Sequence, residues 1–378
     1  MRTLMKILIV NNNMQIGGIQ KSLLNLLNSV HDDYDITLLL FSDYGVLLKD
    51  VPSNVNVVFA DERTKVLGTP WNSLKKTPKM LFCKFYSKII CRLKGKDAAL
   101  NFLFKKQRKI TGFDAVISFS HCTPEKTLSI GTPEFVLNCT ESDNKICFIH
   151  CDYIHSNTCS EHNNRIYSRF DRIACCSESV RKNFLQMIPE LENRTFAVRN
   201  FYDMSIVEQA KDNPYCYDDN YVNLISVARL SEEKGILRAV KTLADANRKD
   251  IRYFVVGSGP QENEIKEYIC RHNLQDNVFL LGEMKNPYRY MLNADYLLVP
   301  SYHEAAPMVF DEANILNLPV ISTKTTSACE MLTKFDLIVE EFDNKSFHDI
   351  KKTAKTKFFD KDMSLLTKAF NDIIAKSV

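Results

Sequence analysis

Residues 301–313, SYHEAAPMVFDEA, hold two glutamates, Glu304 and Glu312, with seven residues and a proline between them, directly after the apolar run 296–300. Pro307 suits the first turn of a helix, which places Glu304 in the preceding loop and Glu312 about one and a half turns in. A carboxylate in such a loop, beside helix N–H groups, accepts hydrogen bonds from sugar hydroxyls, and one on the helix takes the two vicinal hydroxyls of a ribose. The stretch ARLSEEKGILRAV (228–240) offers Arg229 at the end of another apolar run and Lys234 just before Gly235 and a helix. Arginine presents a planar fork to phosphate oxygens, lysine a point charge, and a helix N-terminus its own positive end, a set that suits a diphosphate. Near the start, NNNMQIGGIQKSLLNLL (11–27) places Gly17 and Gly18 ahead of a leucine-rich helix, where glycine lets backbone N–H groups come close to an anion or a sugar. Ordinary readings stand beside these: a tight turn at the glycines, Glu232 and Glu233 neutralising a solvated loop, Glu304 as a cap and Glu312 in water.

These residues need strand ends to hold them, and the chain supplies strands throughout. Short β-branched and aliphatic runs alternate with helix-length amphipathic stretches, the pattern of βαβ units around parallel sheets, so the class is α/β. The first series comprises 6–11, 36–41, 55–60, 115–120, 145–150, 172–177 and 195–200; the second comprises 222–230, 251–259, 278–282, 296–300 and 319–324. In open parallel sheets ligands sit beyond the carboxyl ends of strands, where all the residues above fall. A length of 378 residues exceeds what one hydrophobic core usually serves, and two doubly wound domains with a linker near 201–221 fit.

Composition excludes several classes. A formal charge of +3 over the whole chain argues against nucleic acid as a partner. Twelve cysteines contain no CxxC pair, and the closest groupings, Cys147 with Cys151 and Cys175 with Cys176, lie in apolar runs; this predicts reduced, mostly buried thiols and no metal. The N-terminal MRTLMKILIV lacks a cleavage site, and no stretch reaches about 18 apolar residues, so the expectation is a cytoplasmic protein. VVGSGP (255–260) is only a GxG, without the third glycine and the later acid of a dinucleotide fingerprint, which removes an NAD-dependent dehydrogenase.

The ordered motifs ARLSEEKG, VVGSGP, VFLLGEMKNP, YLLVPSYHEAAPMVFDEA and LPVISTK resemble the C-terminal half of the family-four retaining glycosyltransferases. The likeness is dense over 222–332 and extends loosely to GGIQKSLLNLL (from 17), FIHCDY (148–153) and CCSESVRKNFL (175–185). It implies the GT-B fold: two facing Rossmann-like doubly wound domains with a cleft between them. An acceptor domain would cover 1–205, completed by a C-terminal helix over 362–378, and a nucleotide-sugar domain would cover 206–361. The family places Arg229 and Lys234 on the donor diphosphate, Glu312 on the ribose and Glu304 on the donor sugar. Gly282 and Met284 would lie beside the base, and Ala306, Pro307 and Met308 would line the donor site. Gly17 and Gly18 would leave room for diphosphate or acceptor. His150 would face the transferred sugar, the other reading being a neutral core histidine. Members usually carry glycine after the first glutamate, where this chain has Ala305.

The implied reaction is metal-independent transfer of a hexose, with retention, from a UDP-sugar to a saccharide or lipid-linked oligosaccharide hydroxyl in capsule or exopolysaccharide synthesis. Negative charge develops on the departing diphosphate, where Arg229 and Lys234 would act. A GT-B epimerase or phosphorylase, or a non-catalytic partner subunit, are the alternatives. No cofactor beyond the donor substrate is called for.

One segment stands outside this frame. Residues 63–110 carry fourteen Lys or Arg against a single acid, Asp97. Within 74–109, Leu81, Phe82, Phe85, Tyr86, Ile89, Ile90 and Leu93 share one helical face bordered by Lys84, Lys88 and Arg92. A helix of this kind either lies in the headgroups of an anionic membrane, which would make the protein peripheral on the inner face of the cell membrane, or packs on the first domain with a solvated basic face.

Overall fold

A computed structural model describes residues 4–75, 77–347, 350–352 and 363–375. It divides into two compact units, the first running to Phe201 and including the C-terminal helix Met363–Ile374, the second beginning at Tyr202. The first contains β1 (Lys6–Asn11), β2 (Asp35–Leu40), β3 (Asn56–Phe59), β4 (Ala115–Ser118), β5 (Lys145–Ile149), β6 (Arg172–Cys175) and β7 (Thr195–Ala197), in the order β3-β2-β1-β4-β5-β6-β7. The second contains β8 (Val222–Val227), β9 (Ile251–Val256), β10 (Val278–Gly282), β11 (Tyr296–Val299), β12 (Val320–Thr323) and β13 (Leu337–Val339), in the order β10-β9-β8-β11-β12-β13. All ladders are parallel. These are two Rossmann-like sheets, the α/β architecture read from the sequence.

The apolar runs predict strands because a parallel sheet is covered on both faces and tolerates few polar side chains. Residues 7–10 of β1 are fully buried, and the helix Gly18–Val30 behind it buries Leu23, Leu26, Leu27 and Val30, the spacing of one helical face. Several strands end before their runs do. β8 stops at Val227 and β9 at Val256, so residues 228–230 and 257–259 are loop, and these extensions carry the site. β13 was missed, since three half-exposed residues at a sheet edge leave no run to read.

The stretch 201–221 is not a plain linker. It forms the helix Ile206–Lys211, whose Ile206 and Ala210 are buried, and Asn286 Nδ2 donates to Gln209 O at 2.8 Å, tying it to the second unit. The helix Met363–Ile374 packs in the core of the first unit through Phe370, Ile373 and Ile374. Each buried side chain of this size contributes about 1.5–3 kcal/mol. Tyr34 Oη donates to Asn371 Oδ1 at 2.7 Å and Asn144 Nδ2 to Ile374 O at 3.0 Å, so the helix end is also satisfied.

Inside the first unit, the helix Lys96–Phe104 is joined to the helix Thr132–Cys139 by an ion pair, Lys96 Nζ to Glu134 Oε1 at 2.8 Å, with side chains 1% and 2% exposed. Lys96 also donates to Thr123 Oγ1 at 3.2 Å. Glu134 has no hydrogen-bond partner apart from that pair.

The basic segment forms the helix Pro78–Lys94, and Ser87 is its one buried residue. Phe82 (69% exposed), Phe85, Tyr86, Ile89 and Leu93 (77%) all reach solvent, so the apolar face is not packed on the core. The basic border is smaller than the spacing suggests. Lys84 turns inward and donates to Val66 O at 3.2 Å, and burial, then Lys88, lowers its pKa. Lys88 lies over the Trp71 ring at 5.1 Å, and Arg92 is exposed. Among the described residues no helix is long and apolar enough to cross a membrane.

Candidate functional site

In the second unit β8 and β11 are neighbours although two strands separate them in the chain, so the sheet reverses its winding between them. The loops leaving such a pair splay apart and leave a crevice for a ligand. Their backbones are locked together here. Gly235, at φ +64, starts the helix Ile236–Ala246, and a Cβ there would come 2.0 Å from Pro300 O, so conformation and contact both require glycine. Tyr302 N donates to Glu233 O at 2.9 Å.

The candidate side chains meet across this junction. Lys234 Nζ lies 2.7 Å from Glu304 Oε1, which also accepts from Ser301 Oγ at 2.7 Å. Glu304 is buried and Lys234 is partly exposed, so the carboxylate is the fixed member of the pair and the ammonium the accessible one. Arg229 is exposed at the end of β8. Beside it, partial burial pushes the Glu233 carboxyl up, but the Ser231 hydroxyl, its own backbone, Lys234 and Arg229 together hold it below its ordinary value. Glu233 is therefore ionised, and its hydrogen bond with Ser231 (2.6 Å) is an anchored loop contact.

Pro307 caps the helix Met308–Ile315 from one residue outside it, slightly earlier than read, and Glu312 is the fifth helical residue. Glu312 is buried, so it is not the solvated residue of the ordinary reading. Its Oε1 accepts from Tyr288 Oη at 3.0 Å. Ala306 and Pro307 are half-buried at the helix entry and Met308 is buried. Gly282 ends β10 at φ +74, with open space where a side chain would stand, and Met284 follows, half-buried. One end of one sheet thus carries Arg229, Lys234, Glu304, Glu312 and Gly282. Sequence reasoning missed Ser301 and Tyr288. Ser301 was within reach of a spacing argument, three residues before Glu304; Tyr288 is 24 residues from Glu312 and gave no local signal.

In the first unit Gly17 precedes the helix Gly18–Val30 in extended backbone, φ 178, so no left-handed turn demands it. A side chain on Gly18 would meet nothing within 4 Å. His150 follows β5, half-buried, its ring 4.9 Å from Phe119 and 5.7 Å from Phe148. Burial, then neighbouring His121, lowers its pKa to about 3, so the imidazole is neutral at physiological pH, and its Nε2 has no hydrogen-bond partner. Among the described residues no group of three or more His, Cys, Asp or Glu is arranged to hold a metal ion.

Comparison with known proteins bears on the same segment. Residues 209–356 match the family model described as Glycosyl transferases group 1. An uncharacterized glycosyltransferase of Methanocaldococcus jannaschii is 31% identical over 166 residues, 42% of this chain and 40% of that protein. The N-acetylgalactosamine-N,N'-diacetylbacillosaminyl-diphospho-undecaprenol 4-alpha-N-acetylgalactosaminyltransferase of Campylobacter jejuni is 24% identical over 190 residues, 49% of this chain and 51% of it. The chain therefore spans about half or less of the length of these curated relatives. In fold it is similar to Anabaena Alr3699/HepE, solved with UDP and glucose, at a TM-score of 0.66 and 16% identity over 98% of this chain and 100% of that one. That likeness gives the GT-B fold, and the segment 209–356, which holds Arg229, Lys234, Gly282, Glu304 and Glu312, matches the group 1 glycosyltransferase model.

Proposed function

We propose that the protein transfers a hexose, with retention, from a UDP-sugar to a hydroxyl of a saccharide or lipid-linked oligosaccharide in capsule or exopolysaccharide synthesis. The observation that carries this reading is the Lys234–Glu304 pair at the junction of the β8 and β11 loops, with Arg229 beside it. The buried carboxylate holds the lysine in one place and keeps an oxygen for a sugar hydroxyl. The ammonium is a cation that need not reorganise when a diphosphate leaves, the condition under which charge most lowers a barrier, and the exposed Arg229 guanidinium adds a second positive charge at the same strand end. Glu312 takes the ribose hydroxyls, and the backbone near Gly282 and Met284 takes the base. His150, neutral and with a free ring nitrogen, serves as a hydrogen-bonding group toward the transferred sugar and not as a cation. Because the phosphate charge is met by side chains, no metal is required. The Anabaena neighbour in fold was solved with UDP and glucose, and the Campylobacter relative acts on a diphospho-undecaprenol-linked saccharide; both support this choice of donor and acceptor class. In a screen of UDP, GDP, ADP and their sugars, UDP and a UDP-hexose raise the melting temperature, and adding acceptor releases UDP at a rate unchanged by excess EDTA. Loss of activity on EDTA that Mg²⁺ restores rules out the metal-free reading, and protection by none of the nucleotides rules out the donor site.

The acceptor class brings a membrane with it. We infer that the exposed apolar face of the helix Pro78–Lys94 enters the headgroup region of an anionic membrane, placing the protein on the inner face of the cell membrane. Five large apolar side chains in water on one helix are otherwise unexplained, and the surrounding segment carries almost exclusively positive charge. Since Lys84 is turned inward, Lys88 and Arg92 carry the border. Each contributes about 1 kcal/mol at an anionic surface. Sedimentation with anionic vesicles at low salt is expected to capture the wild type, and Lys88→Glu with Arg92→Glu, or Phe82→Ser with Phe85→Ser, to weaken capture about tenfold or more with UDP binding unchanged. A wild type that stays in the supernatant overturns the interfacial reading.

A further inference from the structure

We propose that Tyr288 is a positioning residue for the ribose-binding carboxylate Glu312, and that it couples the base-side loop to ribose recognition. The inference rests on the assignment of Glu312 to the ribose. Glu312 is 3% exposed on the helix Met308–Ile315, and a carboxylate so buried is costly unless donors reach it. Tyr288 Oη donates to Oε1 at 3.0 Å from a different element, the short helix Tyr288–Met291. The Tyr288 side chain is itself buried. Burial, then Glu312, pushes the Tyr288 phenol far above its ordinary pKa, so the hydroxyl keeps its proton and acts as the donor at every physiological pH.

The bond does two things. It holds Oε1 at a fixed point and so restricts rotation of the carboxylate plane. It also joins two parts of one binding site. Tyr288 comes directly after the loop 283–287 that leaves β10 at Gly282, the segment assigned to the base, while Glu312 lies beyond β11. A nucleotide that seats its base against that loop therefore meets a ribose acceptor already aligned. This preorganisation spares the rotamer freedom that a buried glutamate would lose on binding.

Calorimetry with UDP and with 2′,3′-dideoxyuridine diphosphate on the full chain tests it. The wild type is expected to prefer UDP by at least about tenfold. Tyr288→Phe, which removes one oxygen and keeps the ring, is expected to weaken UDP binding on the order of tenfold, as for a hydrogen bond to a charged group, while leaving the dideoxy ligand unchanged. In a Glu312→Gln background the same change should cost nothing further. A folded Tyr288→Phe variant that keeps full discrimination, or an additive loss in the double variant, overturns the role of Tyr288 while leaving the ribose reading in place. A wild type that binds both ligands equally overturns the assignment of Glu312 itself, and the proposal with it. A general structural role for Tyr288 would weaken both ligands alike.

Discussion

Lys234→Ala and Arg229→Ala are each expected to lower turnover at saturating donor by on the order of a hundredfold or more, the size of effect seen when a group that stabilises developing charge is removed. The two should differ in their side effects. Lys234 is 2.7 Å from Glu304, so its loss leaves that buried carboxylate with Ser301 as its remaining side-chain partner and should weaken binding of the sugar nucleotide as well. Arg229 is exposed, so Arg229→Ala should leave the melting temperature unchanged and act on the chemical step alone. Glu304→Gln keeps the shape, retains an acceptor for Ser301 and removes the charge opposite Lys234; UDP-hexose binding should fall more than UDP binding. Single-turnover kinetics with the donor identified by the screen would separate these effects. Turnover near the wild-type value in either alanine variant would show that the strand-end cations are loop charges without a catalytic task.

The second large effect belongs to the first unit. Lys96→Met should destabilise that unit by about 3–5 kcal/mol, because breaking a buried pair leaves an uncompensated charge, while the pair as a whole stabilises little. Glu134 is 2% exposed and has no partner but Lys96, so nothing else in the described structure can compensate it. Lys96→Met combined with Glu134→Leu should recover most of the loss, since both polar ends are then gone. Urea unfolding of the three proteins decides it. A loss below about 1 kcal/mol in the single variant would mean that water or rearrangement reaches Glu134, and failure of the double variant to recover would assign the effect to packing around the Lys96 stem.

Much of this molecule was legible in one dimension. Covered parallel strands must be apolar along their whole length, so runs such as 6–11 and 222–230 announced two sheets, and the glycines, cations and acids just after them marked the carboxyl ends of the strands, where open parallel sheets generally bind ligands. Glu312 on a helix and Glu304 in the loop before it followed from a single proline. Local periodicity could not say what lies opposite. Lys84, Lys88 and Arg92 looked alike at helical spacing, yet one is turned to the Val66 carbonyl, one covers Trp71, and one meets water. Whether the apolar side of that helix was core or surface depended on its neighbours, and the fold leaves it uncovered. Likewise, 201–221 read as a linker until the packing of Ile206 and Ala210 drew it into the second unit. The contacts between the candidate side chains are long in sequence. Lys234 reaches Glu304 across 70 residues, because the strand order sets β8 beside β11, and Tyr288 reaches Glu312 across 24. A side chain's type and exposure are imprinted by its own segment, because burial repeats with the period of the strand or helix. Its partner is chosen only when the sheet closes and brings distant loops to the same edge, since that choice depends on strand order, which no local pattern encodes.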